Sequence, residues 1–197
     1  QNQYGATALM AASRNGHTDT AILLIEAGTD IETQNQHGQT ALIVASLNGH
    51  KDVVWLLIDE NTNVDIQDQE GWTALMAASE NGHTDTAISL LVAGANLDIQ
   101  NQHKQTALMY ALRNGHTDIA RLLLKHGANV ETQNQYGATA LMAASQNGHI
   151  DMARLLLERG ANVDIQAQEG ATALVLASQN GHTDIARLLL KHGANVD

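Results

Sequence analysis

The tripeptide Asn-Gly-His stands at residues 15–17, 48–50, 81–83, 114–116, 147–149 and 180–182, each copy 33 residues after the last. No other feature constrains the fold as tightly. A fixed period of this length means stacked units, each too thin to bury an apolar face alone and each closing that face against its neighbours. Cutting at the period gives six units, 1–33, 34–66, 67–99, 100–132, 133–165 and 166–197, read as one continuous array. Each unit reads approximately Q-x-Q-x-G-x-T-A-L-x-x-A-S-x-N-G-H-x-D-x-A-x-L-L-L-x-x-G-A-N-V-D-I.

The unit resolves into a helix, a turn, a second helix and an extended arm. "TALMAAS" begins a short helix with Thr7 as N-cap and a narrow apolar stripe through Leu9 and Ala12. Gly16 ends it in a left-handed conformation. "HTDTAILLIEAG" is the second helix, with Ala21, Leu24 and Ile25 inward, Thr18 and Asp19 at its positive end and Gly28 as its stop. The arm then runs to a tight turn at Gly38. Asn61 replaces the stop glycine in the second unit, and Lys104 replaces the turn glycine in the fourth at some cost in stability. Ser89 takes an inward position that is Leu in every other unit, which predicts a weaker third unit. The fold class is all-α: a solenoid of six helix-turn-helix units with extended β-turn arms.

Here the sequence resembles the ankyrin repeat family, in its period, its "G-x-T-A-L" opening, "NGH", "LLL" and "GANV" in register, over essentially the whole chain. Two departures stand out. The family's Thr-Pro-Leu-His is Thr-Ala-Leu-Met here, or Thr-Ala-Leu-Ile at 40–43 and Thr-Ala-Leu-Val at 172–175, so the usual Thr–His hydrogen bond cannot form. The turn that usually begins with Asp begins with Gln-Asn-Gln, except at Asp68 and Ala167. The resemblance implies a concave groove that binds protein partners.

Composition narrows the chemistry. With no Cys, disulfides, thiolate metal sites and cysteine nucleophiles are excluded. No apolar run reaches membrane-spanning length. The net charge of −11 argues against nucleic acid and anionic membranes as partners. That charge is lopsided: residues 1–99 carry thirteen acids and two bases, whereas 100–197 carry eight of each.

An Asp follows each motif histidine by two positions, from His17 and Asp19 to His182 and Asp184, which raises metal or proton-relay chemistry. Equivalent positions in stacked units lie ~10 Å apart, whereas zinc needs its ligands ~2 Å from one centre. The pair is therefore read as a structural joint, the His bonding backbone at the interhelix corner and the Asp capping the second helix. The repeated Ser13, Ser46, Ser79, Ser145 and Ser178 are read as packing residues, and the "GxT" element lacks the lysine of a phosphate loop. No catalytic residue, cofactor or metal site is assigned.

Function is sought where the units disagree. Position four reads Tyr4, His37, Glu70, His103, Tyr136 and Glu169; position six varies through Gln39, Trp72 and Gln105; position fourteen reads Arg14, Leu47, Glu80, Arg113, Gln146 and Gln179. These are the candidate partner-binding residues of the concave face. Trp72, expected to be exposed between Glu70 and Glu80, is the sharpest. A possible second patch, Ile22, Trp55, Ile88 and Val92, lies on the outer side of the second helices, where Arg121, Arg154 and Arg187 stand later.

The expected function is a non-catalytic protein–protein interaction module, its acidic half facing a basic segment of the partner, with the cytoplasm as default location. The alternatives are a spacer within a longer array and an engineered or consensus-derived scaffold. Residues 1–13 repeat as 133–145, and 115–130 as 181–196, letter for letter, as recent duplication would leave them. Neither end carries a polar cap, so the chain, starting and stopping at one repeat boundary (Gln1 and Asp197), is expected to be an excerpt whose ends self-associate.

Overall fold

The computed structural model describes residues 2–196; Gln1 and Asp197 lie outside the described residues. Twelve α-helices run along them in short–long pairs: α1 (Ala8–Arg14) with α2 (Thr18–Glu26), α3 (Ala41–Leu47) with α4 (Lys51–Asp59), and α5 (Ala74–Asn81) with α6 (Thr84–Val92). Then follow α7 (Ala107–Arg113) with α8 (Thr117–Lys125), α9 (Ala140–Gln146) with α10 (Ile150–Glu158), and α11 (Ala173–Gln179) with α12 (Thr183–Lys191). The described residues contain no strand. Each short helix packs on its own partner and on the short helices before and after it, and the long helices form a second row. The core is the seam between the rows, where Leu75, Leu90, Leu108, Leu123 and Leu156 are fully buried.

Each short helix starts where its threonine turns the chain. Thr7 Oγ1 accepts the Met10 amide at 3.1 Å, and Thr40, Thr73, Thr106, Thr139 and Thr172 repeat the bond. With no proline available, the hydroxyl alone satisfies one of the orphan amides of the first turn. The long helices start differently. His17 and its counterparts occupy the N-cap position without a side-chain cap bond. The expectation that the Asp caps this helix is therefore corrected: Asp19, Asp52, Asp85, Asp118, Asp151 and Asp184 lie within the first turn, acting on the helix dipole but holding no amide.

The arms explain the Gln-Asn-Gln departure. Asn35 Oδ1 accepts the amides of His37 and Gln39 at 2.9 and 3.0 Å, and Asn2, Asp68, Asn101 and Asn134 hold their turns in the same way. Asn needs only its carbonyl oxygen for this, so it replaces Asp without loss. Ala167 has no such oxygen, and its turn tightens into a 3-10 turn at Gln168–Gly170 with Glu169 in a left-handed conformation at φ 62°. Lys104 is left-handed too, at φ 56°, which costs an L-residue roughly 1–2 kcal/mol.

Adjacent units are tied at three heights. At the arm tips, the amides of Gln36, Gln69, Gln102, Gln135 and Gln168 donate to carbonyls of the preceding arm at 2.8–3.1 Å. At the arm base, Glu32, Asp65, Asp98, Glu131 and Asp164 accept the amides of Asn63, Asn96, Asn129, Asn162 and Asn195 at 2.8–2.9 Å. At the helical corner, His50, His83, His116 and His182 present Nε2 to the carbonyls of Arg14, Leu47, Glu80 and Gln146 at 2.9–3.1 Å. A carbonyl only accepts, so Nε2 carries the hydrogen. The glycine of the preceding unit makes room for the ring: a Cβ on Gly49 (φ 73°) would stand 2.5 Å from the His83 ring. His149 makes no such bond, and its ring stands farther from Gly115.

Replacing His83 with Ala removes one hydrogen bond and the ring that fills the corner. The expected loss is about 1–3 kcal/mol, a fall of several degrees in thermal midpoint. The His17 ring makes no such hydrogen bond, so His17→Ala is expected to shift the midpoint of this polypeptide by much less. Thermal denaturation of both variants checks the difference; equal shifts would contradict it.

Candidate interaction surface

The arm tips and short helices form the face on which the variable positions fall. A cleft of about 240 Å³ opens there between the second and third units, and six candidates line it: His37, Gln39, Leu47, Glu70, Trp72 and Glu80, with Ile43, Asp68, Gln69 and Ala77. Three carboxylates and no lysine or arginine line this cleft. Asp68 is partly committed, since its Oδ1 holds the turn amides of Glu70 and Trp72. The Glu70 side chain is exposed and makes no hydrogen bond or ion pair.

Trp72 differs from expectation. It is half-buried, its ring 4.4 Å from that of Tyr110 at an interplanar angle of 37°. Tyr110, in turn, is buried and receives a hydrogen bond from Asn101 Nδ2 at 2.7 Å. The Arg113 guanidinium lies 4.8 Å from the Tyr110 centroid, pairs with Glu80 at 3.2 Å and donates to Gln105 at 3.4 Å. The result is a connected cluster across units three and four, Trp72, Tyr110, Arg113 and Glu80, with Glu70 lining the same cleft. Tyr110 escaped the sequence reading because its position is Ala in the first, third and fifth units and so looks like scaffold; the lone ring in that column was the available signal.

The remaining candidates are not gathered into the cleft. Tyr4 and Tyr136 are exposed on separate arm tips, as are His103, whose ring reaches Gln135 at 3.3 Å, and Glu169. Arg14, Gln146 and Gln179 are exposed on other short helices. On the opposite row Trp55, Ile88 and Val92 are exposed, but Ile22 is half-buried. Ser89 is buried and bonds the Asp85 carbonyl at 3.0 Å, replacing a leucine contact with a helix-internal one. Among the described residues, no three His, Cys, Asp or Glu side chains converge as metal ligands, and no helix is long and apolar enough to cross a membrane. Ser13, Ser46, Ser79 and Ser145 are buried with no hydrogen-bond partner, as packing residues would be, whereas Ser178 departs from that expectation: it is exposed and bonds the Leu174 carbonyl at 2.8 Å.

Comparison with known proteins agrees with this architecture. The family described as ankyrin repeats matches in three copies, over residues 1–68, 57–134 and 127–197. The chain is similar to the ankyrin repeat domain of Bcl-3, described as a unique member of the IkappaB protein family, at 29% identity and a TM-score of 0.86, covering 98% of this chain and 89% of that one. It is also similar to an ankyrin repeat domain from Acinetobacter baumannii AYE, at 30% identity and a TM-score of 0.88, covering 95% and 98% respectively. No curated protein matches. The chain belongs to the ankyrin repeat family, whose domains generally mediate protein–protein interaction and are typically non-catalytic.

Burial pushes the Tyr110 phenol above the ordinary tyrosine value of 10.0, with Glu80 and Glu70 adding to the rise and the Asn101 hydrogen bond and Arg113 opposing it. The folded state thus holds this proton more tightly than the unfolded chain does. Its contribution to stability is complete below pH 10 and is lost as pH rises through the folded value. A difference spectrophotometric titration of wild type against Tyr110→Phe should show one phenol ionising late. A difference curve centred at the ordinary value would contradict the burial argument.

Proposed function

We propose that this array is a non-catalytic binding module that holds a protein partner on its concave face, the partner contributing a basic segment to the acidic first half. One observation carries the reading. On a scaffold copied nearly letter for letter, the variable Glu70, Trp72 and Glu80 line one cleft, where Tyr110 packs on Trp72 and Arg113 pairs with Glu80. Aromatic and charged side chains grouped at a concavity are the usual makings of a binding hot spot. Excess negative charge in units one to three favours a cationic partner, with association that weakens as salt rises. A pull-down from source cells identifies the partner, and titration then measures it. Trp72→Ala combined with Glu70→Ala should weaken binding at least tenfold; unchanged affinity would remove the concave assignment.

The end units support a second reading, self-association. Leu23 is 67% exposed at one end, and Leu190 and Val196 are 47% and 74% exposed at the other. The helix α12 repeats the sequence of α8, which inside the array packs on α10. The face that α8 buries is therefore presented again by α12, and residues 1–13 repeat those of the unit that follows α8. The 197-residue polypeptide should stack head to tail in solution, an arrangement that does not close as a twofold dimer does. Sedimentation velocity should show weight growing with concentration, suppressed by Leu190→Lys. A strict monomer at high concentration would overturn it.

A further inference from the structure

We infer that the cleft between the second and third units is a slot for a single arginine side chain of the partner, seated on Trp72 and paired with Glu70. The inference rests on the concave-face reading and names its anchor. The chain itself shows the pattern one unit further on, where the guanidinium of Arg113 lies 4.8 Å from the Tyr110 ring centroid and its Nη2 pairs with Glu80 at 3.2 Å. That slot is an aromatic ring, a guanidinium and a carboxylate, filled from within. In the neighbouring slot the ring is Trp72 and the carboxylate is Glu70, and the cation is missing. The residue equivalent to Arg113 in the third unit is Glu80, and in the second it is Leu47, so the chain supplies no lysine or arginine of its own there; its one basic side chain in the cleft is the His37 imidazole.

Three further features fit a guanidinium. Tyr110 braces the Trp72 ring at 4.4 Å, so the platform is held before any ligand arrives. Glu70 is exposed with no bond to satisfy it, whereas Asp68 is partly spent on its turn. The volume, about 240 Å³, is the scale of one long side chain, and its apolar wall of Ile43, Leu47 and Ala77 suits the methylenes behind the charge. Guanidinium groups stack on aromatic faces and fork onto carboxylates, which a compact ammonium does less well.

The test uses the whole chain with a ¹⁵N-labelled indole and three small probes: the Nα-acetyl amides of arginine, lysine and glutamine. Arginine should shift the Trp72 indole resonance saturably in the millimolar range, several-fold more tightly than lysine, while the neutral glutamine probe leaves it in place. Glu70→Gln, an isosteric change at an exposed side chain, should weaken the arginine probe about fivefold or more. The Trp55 indole, exposed on the opposite row, is the internal control. Equal or tighter binding of lysine overturns the guanidinium assignment, and saturation by glutamine or indifference to Glu70→Gln overturns the slot. If the probes fail while the partner still depends on Trp72, the anchor falls and the concave reading stands. If arginine binds but the partner ignores both residues, the concave reading falls instead.

Discussion

The histidine of one unit resting on the glycine of the unit before it is the contact on which the rest of this structure depends. The glycine supplies two things at once: a left-handed backbone that ends the short helix, and an empty space where the next ring sits. The ring then closes the corner by donating to the last carbonyls of the short helix, which have no partner within it. Where it forms, at four of the five boundaries, one contact fixes both the turn within a unit and the offset to the next; at His149 the arm bonds hold the register without it. The arm-tip amides and arm-base carboxylates keep the same register, 32 and 31 residues apart.

Much of this is legible in the sequence because the same pattern is stated six times. The threonine caps, the glycine stops and the inward leucines follow from local chemistry, and repetition removes the ambiguity that a single copy would leave. The role of the Asp two residues after the histidine was misread, since its identity suits a cap but its position, one turn in, does not. The carboxylate row from Glu32 to Asp164 was overlooked for a different reason: its partner is a backbone amide in the next unit, which carries no letter. His149 shows the limit of reading by analogy, as its letter matches the other copies and its hydrogen bond does not.

The candidate surface divides in the same way. Variation between units pointed to Glu70, Trp72 and Glu80, and the structure places them around one cleft. Variation could not show that Trp72 is half-buried, because what covers it, Tyr110, lies 38 residues on and on a different element. A scaffold held by backbone and histidine contacts leaves such side chains free to change, since none of the tying bonds uses them. That separation lets near-identical units carry different surfaces, as Trp72, Glu80, Tyr110 and Arg113 do across units three and four.

The central claim is that glycine and histidine act as one contact across the unit boundary. A double-mutant cycle on Gly49 and His83, by urea denaturation, tests it most directly. Gly49→Ala alone should cost stability twice over, through its left-handed backbone at φ 73° and through a Cβ 2.5 Å from the ring. With His83 already Ala the collision is gone, so the glycine substitution should cost at least about 1 kcal/mol less in the double variant than alone. Additive costs would show that the two residues act separately, and the account of the stack would be wrong.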